Sequence, residues 1–324
     1  MELIFIGTAD FGLPALEAVA SHHNVKLTIT QPDSPHGRGM TDYYSPVKNK
    51  SLELGIPVYQ PNDINSPDSL KRARDLSVDA FVVVAYGQKI SGQLLNLVEF
   101  PVNIHGSLLP KFRGAAPVNW AILSGAEKTG VTTMIMNEGM DTGPILLQEE
   151  TEIGPNETAG KLHDRLTEMA GEAILSTLSG LSSGKISPTP QRGDPSYAPK
   201  LSKEDGRIDW TQPSNDVHNH IRGMYPWPGA YSFYDGQRVK ICRSQNLGRL
   251  TQKLFDQLPL GKDVLDVKPG EIIDTRSVGF VVKCGNETAV KLTNVQPPSK
   301  CLMSGIDFVN GYQVELNENF SDPP

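Results

Sequence analysis

Cysteine is scarce in this chain: three residues, Cys242, Cys284 and Cys301, among 324. An odd number without metal-ligand spacing argues against a disulfide framework and against a zinc site, and points to free thiols in a reducing compartment. Long apolar runs are missing as well. The longest, AFVVVAY at 80–86, falls far short of the roughly 20 residues that cross a bilayer. The apolar start MELIFIG lacks a basic leader and a cleavage pattern, so it reads as a buried first strand. With no organelle presequence either, the expected location is the bacterial cytoplasm. Excess positive charge is absent too: 30 basic against 37 acidic side chains leave −7, which argues against a protein that coats nucleic acid indiscriminately. There is no internal repeat, and a monomer is the default expectation.

The composition that remains, 38% hydrophobic and 21% charged, is that of a globular chain long enough for two domains with real cores. Charge is unevenly distributed. Residues 1–206 hold 17 basic and 24 acidic side chains, residues 207–313 hold 13 and 10, and the tail 314–324 holds three acids and no base. The weakly basic second half permits a polyanion to lie on it.

Apolar β-rich runs at 3–6, 25–30, 80–85 and 102–105 alternate with helical patterns at 10–20, 45–54, 66–75 and 93–98. This alternation predicts a doubly wound α/β domain with a mainly parallel sheet. A proline-opened helix follows at 117, then a strand at 131–136 and a long helix at 159–178. Gly, Ser and Pro punctuate 179–199, which reads as a linker. Beyond Trp210 a short helix (216–222) precedes strand patterns at 230–234, 238–243, 271–274, 279–284 and 289–295, the spacing of a small β-barrel. The domains expected are 1–186, a linker 187–205, a barrel 206–314 and a tail 315–324.

The stretch Asn103-Ile104-His105-Gly106-Ser107-Leu108-Leu109-Pro110 carries the strongest chemical signal. On a strand, Asn103 and His105 point to one side while Ile104 turns to the core. An amide donor and a titratable ring at a strand end, followed by a glycine that admits close approach, suit acyl chemistry on a carbonyl. Open α/β sheets bind ligands beyond the carboxyl ends of their strands, so His105-Gly106 and Tyr86-Gly87 are expected to flank one crevice. Asp141, in the glycine-flanked loop EGMDTG, reads by pattern either as a third polar group or as an Asx-turn residue. Gly7-Thr8-Ala9-Asp10-Phe11-Gly12 follows the first strand but lacks the G-x-G-x-x-G order, so dinucleotide binding is disfavoured.

Several stretches resemble a known family. GVTTMIM at 130–136, followed by DTGPI at 141–145, is similar to the signature of enzymes that use 10-formyltetrahydrofolate. QPD at 31–33, GRG at 37–39, SPVK at 45–48, VAYG at 84–87 and HGSLLPKFRGAAP at 105–117 resemble, within those enzymes, the methionyl-tRNA formyltransferases. So do YAPKL at 197–201, RIDW at 207–210 and PWP at 226–228. The likeness covers nearly the whole chain. It implies a Rossmann-like formyltransferase domain followed by a small OB-like barrel that binds tRNA. It implies that Asn103, His105 and Asp141 are the catalytic trio, with a folate pocket that includes Ser107, Leu108, Leu109, Pro110, Tyr86 and Gly87. The formyl donor would be 10-formyltetrahydrofolate and the acceptor initiator methionyl-tRNA, with no metal. One departure stands out. The loop after Gly37-Arg38-Gly39 is usually basic in the family, yet here it reads Met40-Thr41-Asp42-Tyr43-Tyr44. Arg38 remains as a candidate for tRNA there, and stacking by Tyr43 or Tyr44 could substitute for the missing charges; the alternative is exposed loop tyrosines with no role. In the second domain Arg222, Arg238, Lys240, Arg243, Arg249 and Lys253 are candidates.

No cysteine or serine is placed as a nucleophile, so the expected reaction is direct attack of an amine on the formyl carbon. Asn103 and His105 would stabilise the oxyanion, while Asp141 would orient the ring and pass a proton. The competing readings are a sugar-nucleotide N-formyltransferase, a formyltetrahydrofolate hydrolase, and a folate- or RNA-binding module without catalysis.

Overall fold

Four consecutive residues of the first strand, Leu3 to Ile6, are fully buried. A strand that is apolar on both faces needs cover on both, which puts it inside a mainly parallel sheet. The computed structural model, which describes residues 1–36, 41–250, 266–277 and 279–320, places it there.

The strands are β1 (Glu2–Gly7), β2 (Asn24–Ile29), β3 (Ser34–His36), β4 (Thr41–Tyr43), β5 (Val58–Tyr59), β6 (Ala80–Val84), β7 (Phe100–His105), β8 (Arg113–Gly114), β9 (Lys128–Ile135), β10 (Ile145–Glu152) and β11 (Tyr197–Ala198). The helices among them are α1 (Leu13–His22), α2 (Pro46–Glu53), α3 (Pro67–Leu76), α4 (Gly92–Leu95), α5 (Pro117–Leu123) and α6 (Ala159–Ser182). The main sheet runs β10-β9-β7-β6-β1-β2-β5. β7, β6, β1, β2 and β5 are parallel, whereas β9 is antiparallel to β7 and β10 to β9. The expected α/β class with a mainly parallel sheet is therefore observed. β10 had not been expected.

Local chemistry sets the helix starts. Ser45 and Ser66 each accept a backbone N–H three residues on, at 3.1 and 3.3 Å, and each is followed by proline. α4 is shorter than its pattern suggested and opens on the Ser91 cap. α6 runs four residues past the expected end at 178, to Ser182. Its Leu162, Leu166, Ala170, Ala173, Ile174 and Leu178 are at most 1% exposed, the stripe of a helix that covers a core.

Later in the chain come α7 (Ser214–Gly223), β12 (Tyr231–Tyr234), β13 (Gln237–Arg249), β14 (Ile272–Ser277), β15 (Gly279–Cys284), β16 (Thr288–Gln296), β17 (Met303–Ser304) and α8 (Gly305–Tyr312). Their sheet is antiparallel in the order β12-β13-β16-β15-β14, with β17 on β16. β13 is 13 residues long and shifts register three times against β16. Such bulges bend a strand and let the sheet curl, as a small barrel requires. Phe280, Val282, Val290, Leu292, Val295 and Phe308 fill the inside at 0% exposure.

The chain divides into two compact units. One comprises Met1–Pro117, Lys128–Glu152 and Leu162–Pro199; the other comprises Val118–Glu127, Ile153–Lys161 and Lys200–Pro324. Among the described residues no helix is long and apolar enough to cross a membrane.

Candidate active site

Alternation along β7 turns Val102 and Ile104 to one face and Asn103 and His105 to the other. Register places Asn103 beside Val83 and Met134, and His105 beside Thr132. His105 is 6% exposed. Its Nε2 lies 2.9 Å from the Phe112 carbonyl. A carbonyl only accepts, so Nε2 carries the hydrogen and donates it. Nδ1 is then the nitrogen turned to Asp141, whose Oδ2 is 3.8 Å away. That is ion-pair range but too long for a hydrogen bond.

Asp141 adopts a left-handed backbone (φ 52°) in the connection between β9 and β10, a conformation aspartate tolerates better than most residues. Its Oδ2 accepts the Gly114 N–H at 2.8 Å. Residues 112–114 therefore hold both groups: the Phe112 carbonyl fixes the imidazole and the Gly114 amide fixes the carboxylate. Gly114 has φ 123°, and a Cβ there would stand 2.6 Å from the Ala198 carbonyl oxygen, so only glycine fits. These two backbone partners are the functional groups that sequence reasoning missed. Main-chain atoms carry no residue signature, and the only signal was that the family-like run HGSLLPKFRGAAP continues through Gly114. Asn103 is half-buried, and among the described residues its amide takes no part in these bonds.

The residues expected around folate fall into two groups. Ser107 is fully buried: its Oγ donates to the Lys111 carbonyl and its own carbonyl accepts from Thr132 Oγ1, both at 2.6 Å. Leu109 gives its N–H to Thr132 Oγ1 at 3.2 Å and takes Gln148 Nε2 at 2.9 Å on its carbonyl. With the cis Leu109–Pro110 bond, these groups build the turn. The Tyr86 ring packs in the core with Ile4, Ile6, Phe81 and Leu94. Among the described residues its buried hydroxyl has no partner, and burial pushes the phenol up to about 12. Leu108 is half-buried and Gly87 is exposed at φ 89°. These two present open surface near the strand ends, Leu108 by its side chain and Gly87 by bare backbone.

The residues expected at tRNA also differ among themselves. Arg222 does not face solvent. It is 7% exposed, and its guanidinium donates to Asn219 Oδ1 at 2.9 Å and to the Gly154 and Glu157 carbonyls at 3.0 and 3.1 Å. Replacing it with methionine should cost stability, on the order of 2–3 kcal/mol for charge-assisted bonds. Thermal melts and the salt dependence of tRNA binding check this: a lower Tm with an unchanged salt slope is expected, and the reverse would return Arg222 to the RNA surface. Arg238 and Arg243 are half-buried, with guanidinium carbons 3.6 and 3.9 Å from the ring centroids of Tyr231 and Tyr225. Lys240 is exposed. Arg249 is exposed and paired with Glu287 at 3.0 Å. Tyr44 is 44% exposed beneath the Lys48 ammonium, 3.7 Å from its ring centroid. Arg38, Lys253 and the Tyr43 side chain lie outside the described residues.

The arrangement is a buried imidazole anchored through one nitrogen, a carboxylate facing the other, and an amide donor on the same strand face. It suits proton transfer beside a carbonyl that gains negative charge. Residues 1–178 match the family model described as formyl transferase, and residues 200–313 match formyl transferase, C-terminal domain. The methionyl-tRNA formyltransferase of Clostridium botulinum is 40% identical over 317 residues, 97% of this chain and 98% of that protein. That of Heliobacterium modesticaldum is 41% identical over 321 residues, 97% and 98% of the two chains. Among solved structures, an N-formyltransferase from Helicobacter canadensis, in complex with folinic acid and dTDP-3-aminofucose, superposes with a TM-score of 0.66 at 17% identity. It covers 91% of this chain and 98% of its own, and shows the shared fold. With full-length identity near 40% and both family models matched in order, the chain belongs to the methionyl-tRNA formyltransferase family.

Proposed function

We propose that this chain transfers a formyl group from 10-formyltetrahydrofolate to the α-amine of methionine carried by initiator tRNA, supplying formylmethionyl-tRNA for translation initiation. The observation that carries this reading is the His105–Asp141 pair at a strand end, 3.8 Å apart, in a chain alike over its whole length to methionyl-tRNA formyltransferases. We assign the folate donor to residues 1–186 and tRNA to 206–314, the chain working as a monomer in the bacterial cytoplasm.

The donor fits the strand ends on one specific ground. At Gly87 the nearest atom to an added Cβ would be Gln31 Nε2 at 3.9 Å, so bare backbone there meets open space that a flat ring system can approach. Gly87 and Leu108 would hold it, with the turn 107–110 behind them.

The amine attacks the formyl carbon, and charge builds on the formyl oxygen. Asn103 donates an amide hydrogen to that oxygen, worth roughly a hundred- to thousandfold in rate for one such donor. His105 keeps Nε2–H on Phe112 and offers Nδ1 to the reacting atoms. Because Nδ1 and Asp141 Oδ2 are too far apart to bond directly, a donor placed between them, the attacking amine or a water, completes the bridge. Asp141 takes the amine proton; as the tetrahedral intermediate collapses, the bond between the formyl carbon and the folate nitrogen breaks and the proton passes to that nitrogen. The neutral folate amine and the formylated methionyl ester are then the products.

The test is incubation with formyl-labelled 10-formyltetrahydrofolate and one of three acceptors: charged initiator tRNA, an amino-sugar nucleotide, or none. Label should enter the tRNA fraction. Transfer only to the sugar would identify a sugar formyltransferase, and formate release without acceptor a hydrolase. Binding without turnover would leave a non-catalytic module.

A further inference from the structure

We propose that Gln191 and Arg113 are positioning residues for this reaction, holding the Asp141 loop at its working distance from His105. The inference rests on the functional reading above. Gln191 Nε2 donates to the Asp141 carbonyl and to the Gly143 carbonyl, both at 2.8 Å. Gln191 Oε1 accepts from Arg113 Nε at 3.2 Å and from Arg113 Nη2 at 2.6 Å. A neutral carboxamide suits this place: one end gives two hydrogens to two carbonyls, and the other receives both donors along one edge of a guanidinium.

Arg113 sits between the two residues that hold the reacting groups. Phe112 before it takes the imidazole hydrogen, and Gly114 after it gives its N–H to the Asp141 carboxylate. Three consecutive residues and one glutamine thus bond the ring, the carboxylate and the backbone that carries the carboxylate. The segment is fixed in turn by residues 196–198. Ser196 Oγ takes the Phe112 N–H and the Ser196 carbonyl takes the Arg113 N–H, both at 2.9 Å. β11 pairs in parallel with β8. Neither Gln191 nor Arg113 bonds His105, so their effect on turnover runs through the placement of Asp141. A misplacement of about 1 Å far from the chemistry can cost roughly a hundredfold.

Gln191→Met keeps the length and removes all four bonds. It should lower kcat for formylation of methionyl-tRNA by roughly 10- to 100-fold, with KM for the tRNA changed less than about twofold. In an Asp141→Asn background the same substitution should change kcat less than about threefold, because the carboxylate it places is gone. Hydrogen exchange supplies a readout that needs no activity: amides of 136–144 should exchange faster in Gln191→Met while those of β7 keep their protection. Arg113→Lys, which keeps the charge and loses the two-pronged contact, should show the same coupling at smaller size and serves if Gln191→Met does not fold. An equal loss in both backgrounds, an unchanged kcat, or unchanged exchange in 136–144 would overturn the proposal. If the unmodified protein forms no formylmethionyl-tRNA, the functional reading fails and the exchange result alone decides whether the clamp exists.

Discussion

His105→Ala should lower kcat by roughly 10³-fold, within the range for a positioned acid–base group, while the protein stays folded. Two contributions are lost together. The reacting atoms lose the Nδ1 side of the imidazole, and the Phe112 carbonyl loses the only hydrogen that His105 gives it. The second loss touches stability only modestly, about 1 kcal/mol for a typical bond. Its real consequence is that the 112–114 segment is tied to β7 by one bond fewer. Steady-state formylation of methionyl-tRNA beside a thermal melt separates the two. A large drop in kcat with a Tm shift of a few degrees is expected, and near-normal turnover would remove His105 from the chemistry.

Asp141→Asn should be almost as costly for a different reason. An asparagine Oδ1 can still accept the Gly114 N–H, so the bond that seats the side chain survives. The negative charge facing Nδ1 disappears, and with it a group able to take the amine proton. A loss in kcat of roughly 10²- to 10⁴-fold, with KM for the folate donor near its original value, is the expected pattern. A rise in KM with kcat preserved would mean that Asp141 binds and does not react. The contrast with Gln191→Met is informative: one variant keeps the carboxylate and loosens its seat, the other keeps the seat and removes the carboxylate.

The parts of this protein that were legible in sequence are those with a strong period or a strong composition. Leu3 to Ile6 is apolar at every position, and 80–85 likewise, which is the mark of strands covered on both faces. Asn103 and His105 were legible as a pair because strand alternation alone puts them on one face. β10 was not. Its sequence ILLQEETE has a single β-branched residue before Thr151 and three glutamates, and it forms an edge strand by pairing antiparallel with β9. The burial of Arg222 was invisible because its partners include the carbonyls of Gly154 and Glu157, far away in sequence. The segment 179–199 reads as a connection punctuated by Gly, Ser and Pro. Its Gln191 and Ser196 nevertheless bond residues 112, 113, 141 and 143, contacts that composition cannot announce. The holders of the site are mostly backbone atoms in left-handed conformations, Phe112 at φ 58° and Gly114 at φ 123°, and one carboxamide. Side-chain identity marked the candidates; what fixes their position became visible only in three dimensions.

The most direct test of the central claim is single-turnover formyl transfer by the double variant His105→Ala/Asp141→Asn, compared with each single variant. If ring and carboxylate act as one unit across the 3.8 Å between them, the double variant will be no more than a few-fold slower than the worse single one. Losses that multiply would show two independent groups and contradict the account.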